Sequence, residues 1–125
     1  MQNERLKFKI EFNKRLINYS LDIIKFSEKI RRKRNLFSLA DQLIRSATSI
    51  GANIIEAKSS SSKRDYLRYF EIALKSSNEI KYWLILIRES ASDYKKYSNK
   101  LLKETDEISK IIGASVLTLK GKRNL

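Results

Sequence analysis

The chain has 125 residues, 42% of them hydrophobic, and carries 27 Lys and Arg against 14 Asp and Glu, for a formal net charge of +13. That length makes one domain with a core adequate for independent folding, and the absence of cysteine and histidine excludes disulfides, thiolate catalysis, a histidine base and His/Cys zinc sites. With no proline and three glycines the chain lacks the reversals that strand-and-turn folds need, and its longest apolar run, around Trp83 to Ile87, is too short to span a membrane.

The hydrophobic periodicity predicts an all-α chain of four helices. The first runs from about Glu4 to Ile30, where Phe12, Leu16, Tyr19, Ile23, Phe26 and Ile30 form a heptad-like stripe that Leu6, Ile10, Ile17, Leu21 and Ile24 widen. A basic turn at 31–35 follows, with Asn35 or Ser38 as candidate caps for the second helix. That helix ends in Lys58-Ser59-Ser60-Ser61-Ser62, a run of poor helix propensity. Ser62 and Asp65 have capping-box spacing, with Asp in place of Glu or Gln. The third helix spans about Lys63 to Glu89, with Leu67, Phe70, Ser77, Ile80, Leu84 and Ile87 facing inward. After a polar turn at 90–93, the fourth carries Tyr97, Leu101, Ile108, Ile111, Ile112, Ser115 and Leu119. Short connections between long amphipathic helices predict an up-down-up-down antiparallel four-helix bundle. Residues 1–120 make this single domain, and residues 121–125 are expected to be a flexible basic tail.

The second helix is the most informative segment. Leu36, Leu39, Leu43, Ala47, Ile50 and Ile54 make an apolar stripe, yet Ser46, Ser49, Gly51, Ala52 and Ala57 are small where a solvated face would carry long charged residues. Such a helix is expected to be surrounded by protein, part of it from another subunit, with Ser46, Ser49, Ala52, Tyr82 and Trp83 as interface candidates. Folding the second and third helices symmetrically about the serine turn sets Arg45 beside Lys75 and within a turn of Glu79, and Asn53 beside Leu67. Arg45, Asn53, Glu56, Lys75 and Glu79 are therefore expected to form a buried or inter-subunit polar network centred on an Arg45–Glu79 pair.

Catalysis is not expected. Without histidine the Glu-x-x-His elements of a di-iron bundle are impossible, no glycine-rich phosphate loop is present, and no metal or cofactor is implied. Glu56, Glu71 and Glu79 are the carboxylates with the spacing to converge inside a bundle, but Glu among Lys and Arg more often forms an ion pair.

Arg45–Ala57 (RSATSIGANIIEA), Ser62–Tyr66 (SKRDY) and Ile72–Leu84 (IALKSSNEIKYWL) together resemble the four-helix-bundle family of 23S rRNA intervening-sequence proteins. The resemblance covers about residues 5–120; Tyr66 stands where Phe is usual, and Ser76-Ser77 where Glu-Ala is common. It implies a closed five-fold ring of protomers. A related branch, the accessory variability proteins of diversity-generating retroelements, implies a basic pentameric barrel with a reverse transcriptase and RNA as partners.

The charge points to a polyanion through counterion release. Its densest cluster is Arg31, Arg32, Lys33 and Arg34 in the first turn, with Lys58, Lys63, Arg64 and Arg68 around the serine turn. These two clusters should lie at opposite ends of the bundle. No helix-turn-helix or aromatic RNA-recognition pattern is present, so the contacts expected are to phosphate rather than to base edges. The functional expectation is a non-enzymatic, homo-oligomeric, most simply pentameric, scaffold that binds RNA or another polyanion. The alternative is a structural or protein-interaction ring with no nucleic-acid role. Acids in the first turn and no apolar leader at the N-terminus, together with the lack of cysteine, predict a cytoplasmic location without a membrane partner.

Overall fold

The computed structural model describes the backbone of residues 2–124 and the side chains of residues 3–121. Helix α1 spans Gln2–Arg31, α2 Phe37–Ala57, α3 Lys63–Ser90 and α4 Lys95–Asn124, and single 3-10 turns at Arg34–Leu36 and Ser92–Tyr94 lead into α2 and α4. Among the described residues there is no strand, no cis peptide and no residue with positive φ. The fold is a helical bundle.

The inward stripes supply the core: Leu16, Tyr19, Ile23, Phe26 and Ile30 from α1; Leu43, Ala47, Ile50 and Ile54 from α2; Leu67, Phe70, Ala73, Ile80, Leu84 and Ile87 from α3; Leu101, Ile108, Ile112 and Val116 from α4. Each fully buried Ile or Leu contributes about 1.5–3 kcal/mol relative to exposure. Contacts run in opposite directions along α2 and α3 and along α3 and α4. Ser46 meets Glu79 and Ser49 meets Ser76 across α2 and α3; Arg88 meets Asn99 and Ser77 meets Ser109 across α3 and α4. Between α1 and α4, Arg15 meets Glu104 and Lys29 meets Tyr94.

Four details depart from the sequence expectations. Neither Asn35 nor Ser38 caps α2: its N-cap is Leu36, with no side-chain cap bond. Leu36 is buried and donates its N–H to Lys33 O at 2.9 Å, so the chain enters α2 through a continuous tight turn that leaves Asn35 and Ser38 in water. Leu6, Ile10, Ile17 and Leu21 do not widen the core stripe but stand exposed (Ile17 is 58% exposed), because they lie well over a quarter-turn away from it. Tyr97 is likewise half exposed, on the flank of α4. The helix α4 continues to Asn124 through the segment expected as a tail from residue 121; no proline interrupts its i→i−4 ladder, and Leu119 still packs against the core. Leu125 lies outside the described residues.

The start of α3 follows the expected capping. Ser62 is extended, with φ −149° and ψ 161°, and its hydroxyl accepts the Asp65 N–H at 3.1 Å. The Asp65 carboxylate accepts from Ser61 at 3.3 Å instead of returning to the cap, so only half of a capping box forms.

Candidate nucleic-acid interface

The first and third turns share one end of the bundle. Lys33 Nζ lies 3.1 Å from Asp93 Oδ2 and 5.2 Å from the Tyr94 ring centroid, and the Tyr94 hydroxyl donates to Lys29 O at 3.4 Å. Arg31 is paired with Asp41 and lies over the Phe37 ring at 4.8 Å. Two of the four basic residues of the first turn thus have internal partners. Arg32 and Arg34 are exposed and have no ion-pair partner among the described residues. Around the serine turn Lys58, Lys63, Arg64 and Arg68 are all exposed and likewise unpaired among the described residues. Behind them the Tyr66 and Phe70 rings stack with centroids 4.9 Å apart, and burial pushes the Tyr66 phenol up.

The expected polar network forms with different members. Arg45 is exposed and pairs with no acid among the described residues. Ser46 takes its place, donating to Glu79 Oε2 at a long 3.4 Å. Ser76 donates to Ser49 Oγ at 2.9 Å, and Asn53 Nδ2 donates to Ser49 O at 2.8 Å and to its Oγ at 3.1 Å. The cause is helix face, with Ser46 buried and Arg45 on the solvent side of α2; the register also differs from symmetric folding. The turn leaves α2 through tight bonds (Lys58 N–H to Ile55 O, Ser59 N–H to Glu56 O, Ser60 N–H to Ala57 O) before the chain crosses over. The first turn of α3 therefore overhangs the end of α2, and each α2 residue meets α3 about five residues, roughly 7 Å, further along than symmetric folding predicts. Arg45 lies close to half a turn from the Ala47–Ile54 core stripe, so it stays in water although this shift brings it level with the neighbour of Glu79.

Glu56 and Lys75 are exposed and belong to no buried network. Lys75 and Glu79 instead line an open groove of about 520 Å³ between α3 and α4, with Glu71 and Lys120, whose charges approach to 3.6 Å. Two acids and two cations neutralise one another there. Glu56, Glu71 and Glu79 do not converge: Glu71 faces Lys120, Glu79 takes Ser46, and Glu56 lies outside that groove. Among the described residues no group of three or more His, Cys, Asp or Glu side chains stands close enough to hold a metal ion.

The interface candidates are also redistributed. Ser46 is buried and Ser49 half-buried inside the protomer, both spent on α3. Trp83 is half-buried against the core, with its Nε1 buried and unpartnered among the described residues. Ala52 and Tyr82 are exposed. Further exposed apolar surface belongs to Ile10, Ile17 and Leu21 on α1, expected to widen the core stripe, and to Phe37 and Ile55 on α2, which the sequence had not singled out.

A second groove, of about 180 Å³, lies between α1 and α4 and is lined by Asp22, Lys25, Phe26, Lys29, Tyr97, Lys100 and Leu101. Lys29 Nζ sits 4.4 Å from the Tyr97 ring centroid. Further along the same seam Arg15 clamps Glu104 through two bonds of 2.9 and 2.5 Å and reaches Glu107 at 2.5 Å. The Arg15 hydrogen bonds hold the Glu104 carboxyl below its ordinary value of 4.5. These lysines were not singled out from the sequence; the available signal was the i, i+4 spacing of Lys25 with Lys29 and of Lys96 with Lys100 on helix flanks.

The fold is similar to a crystal structure of a protein of unknown function from the S23 ribosomal protein family of Bacteroides thetaiotaomicron. The two chains are 28% identical, the match covers 84% of this chain and 97% of that one, and the TM-score is 0.78. Comparison with curated proteins gives no significant match. The family model described as 23S rRNA-intervening sequence protein matches residues 9–114, which takes in α2 and α3, most of α1 and α4, and the turns with Arg32 and Lys63. The chain belongs to the family of 23S rRNA-intervening sequence proteins.

Proposed function

We propose that the chain acts without catalysis, as a self-associating basic scaffold that holds nucleic acid, RNA foremost, through its phosphates. One observation carries this reading: Arg32, Arg34, Lys58, Lys63, Arg64 and Arg68 stand exposed with no carboxylate in ion-pair range among the described residues. A cation without an internal partner keeps its counterions, and their release is what drives phosphate binding. The family's description, which ties its members to 23S rRNA, supports RNA as the polyanion.

Self-association is supported by the unpartnered apolar residues. On α1, Ile10, Ile17 and Leu21 lie on the side turned away from Arg15, Asp22 and Lys29, which face α4. On α2, Phe37 and Ile55 lie away from Ser46 and Ser49, which face α3. Both stripes therefore flank the α1–α2 seam, and apolar surface of this kind marks protein interfaces. Repetition of one such interface closes a ring, a pentamer on the family resemblance, and a ring multiplies each cationic cluster without new contacts.

The test is RNA affinity as a function of salt. The logarithm of affinity should fall linearly with the logarithm of salt concentration, by roughly 0.7 per phosphate neutralised on a single strand. Substituting Arg32 and Arg34 with Gln should flatten that slope while the fold is kept. In light scattering the protein should show a mass several times 14.7 kDa, and Ile17→Lys should reduce it. The exposed apolar stripes favour one second reading, a protein-interaction ring with incidental charge. Assembly without any RNA binding at about 50 mM salt selects that second reading.

A further inference from the structure

The lysine groove between α1 and α4 was used neither by the sequence motifs nor by the clusters at the turns. Its lining carries three lysines against one acid, Asp22. Lys25, Lys29 and Lys100 are exposed and make no ion pair among the described residues. Arg15 and Lys33, before and after them along the same seam, are both ion-paired, so these three lysines are the unpaired cations between two paired ones. Lys25 and Lys29 stand one helical turn apart on α1, about 6 Å along its axis. Lys100 faces them from α4, with the exposed Lys96 one turn before it on the same flank. The result is a two-sided row of ammonium groups rather than a single cationic point.

An aromatic face completes the groove. Tyr97 is 50% exposed, and its ring lies 6.3 Å from that of Phe26, tilted by 37°. One face is covered by the Lys29 ammonium at 4.4 Å. Phosphate is a stronger partner for that ammonium than a ring face, so an incoming phosphate draws Lys29 away and opens Tyr97 for stacking. Cations tracking a backbone beside an aromatic platform are the combination that binds unpaired strands. A base inside a duplex has no free face to offer, so an aromatic platform beside cations suits an unpaired strand.

We propose that the α1–α4 groove binds a single-stranded RNA segment, with Lys25, Lys29 and Lys100 on its phosphates and one base stacked on Tyr97. This rests on the nucleic-acid reading above and moves its centre from the turns to the flank of the bundle. Asp22 is the one groove residue that opposes phosphate, so its removal strengthens binding.

The experiment is fluorescence anisotropy of a labelled, unstructured oligouridine titrated with the full chain at several salt concentrations from about 50 mM upward. The variants are Lys25→Gln/Lys29→Gln/Lys100→Gln, Tyr97→Ala, Tyr97→Phe and Asp22→Asn, with Arg32→Gln/Arg34→Gln as the turn control. The triple variant should lower the log–log salt slope by about 2, three phosphates at roughly 0.7 each. Tyr97→Ala should weaken binding at least about fivefold, and Tyr97→Phe should restore most of it, because stacking needs the ring and not the hydroxyl. Asp22→Asn should tighten binding, a gain that a merely structural role would not give. Wild-type binding that the triple variant and Tyr97→Ala leave unchanged overturns the groove and spares the broader function. Absence of wild-type binding overturns both. A circular-dichroism melt of each variant separates lost contacts from lost fold, and the Tyr97→Phe and Asp22→Asn readouts stand even if the triple variant does not fold.

Discussion

On both flanks of α3 the helices meet through hydroxyls: Ser76 touches Ser49 of α2, Ser77 touches Ser109 of α4 at 2.7 Å, and Ala73 is buried beside them. Between α1 and α4 the contacts are made by the longest side chains available, Arg15 to Glu104, Tyr19 to Thr105 at 2.6 Å and Phe26 to Tyr97. Small residues let backbones approach, and each buried hydroxyl then finds its partner within reach. Long residues span a wider seam and leave the lysine groove along it, whereas the groove beside α3 has its two lysines matched by Glu71 and Glu79. The close seams specify the bundle, and the wide one offers surface to a ligand.

Four substitutions test that contrast. The largest effect is expected from Ser77→Leu, which forces a bulky side chain into a fully buried close seam and removes the Ser109 partner. Overpacking of this kind costs about 1–3 kcal/mol, and a denaturant melt that moves by less would show the seam to be loose. Next comes Tyr19→Phe on the wide seam. Thr105 keeps its bond to Leu101 O at 2.6 Å, so the loss is about 1 kcal/mol, the net worth of one hydrogen bond. Burial also pushes the Tyr19 phenol up. Above about pH 10 the unfolded phenol ionises while the folded one stays protonated, so alkali destabilises the wild type more than Tyr19→Phe.

Glu104→Gln should cost less than about 1 kcal/mol at neutral pH, because the clamp is about one-third exposed and solvent screens it. Its folded carboxyl lies below the ordinary value, so its contribution is present above that value and is lost as the pH falls through the folded one. The acid limb of a stability–pH curve should therefore flatten in the variant. Arg45→Ala should change stability by no more than about 0.5 kcal/mol, as for surface sites without special contacts. A loss of several kcal/mol would mean that Arg45 is a buried partner of Glu79 after all.

The faces of the helices were legible from spacing. The stripe from Leu16 to Ile30 and that from Leu43 to Ile54 are buried as their periodicity requires, and Ser62 caps α3 as its type and spacing require. The charged end clusters were legible too, since an exposed turn holding Arg32 and Arg34 has no core to enter. Partners were not legible. Arg31 and Lys33 look equivalent to Arg32 and Arg34 in the sequence, yet the first two meet Asp41 and Asp93. Asp93 lies on the next but one connection, brought near only by the packing of α4 beside α1.

By itself the sequence determined four helices, the face each one buries and the basic character of the turns. Those are local properties, fixed by 3.6-residue periodicity and by residue types that a few neighbours suffice to read. Only the tertiary structure decided the stagger of α3 against α2, which set Ser46 opposite Glu79 and Ser49 opposite Ser76, and the wide α1–α4 seam with its lysines and Tyr97. Stagger depends on how five turn residues spend their length between two helix axes, and seam width on which side chains happen to face each other. Both are sums over residues far apart in the chain, and no local pattern encodes them.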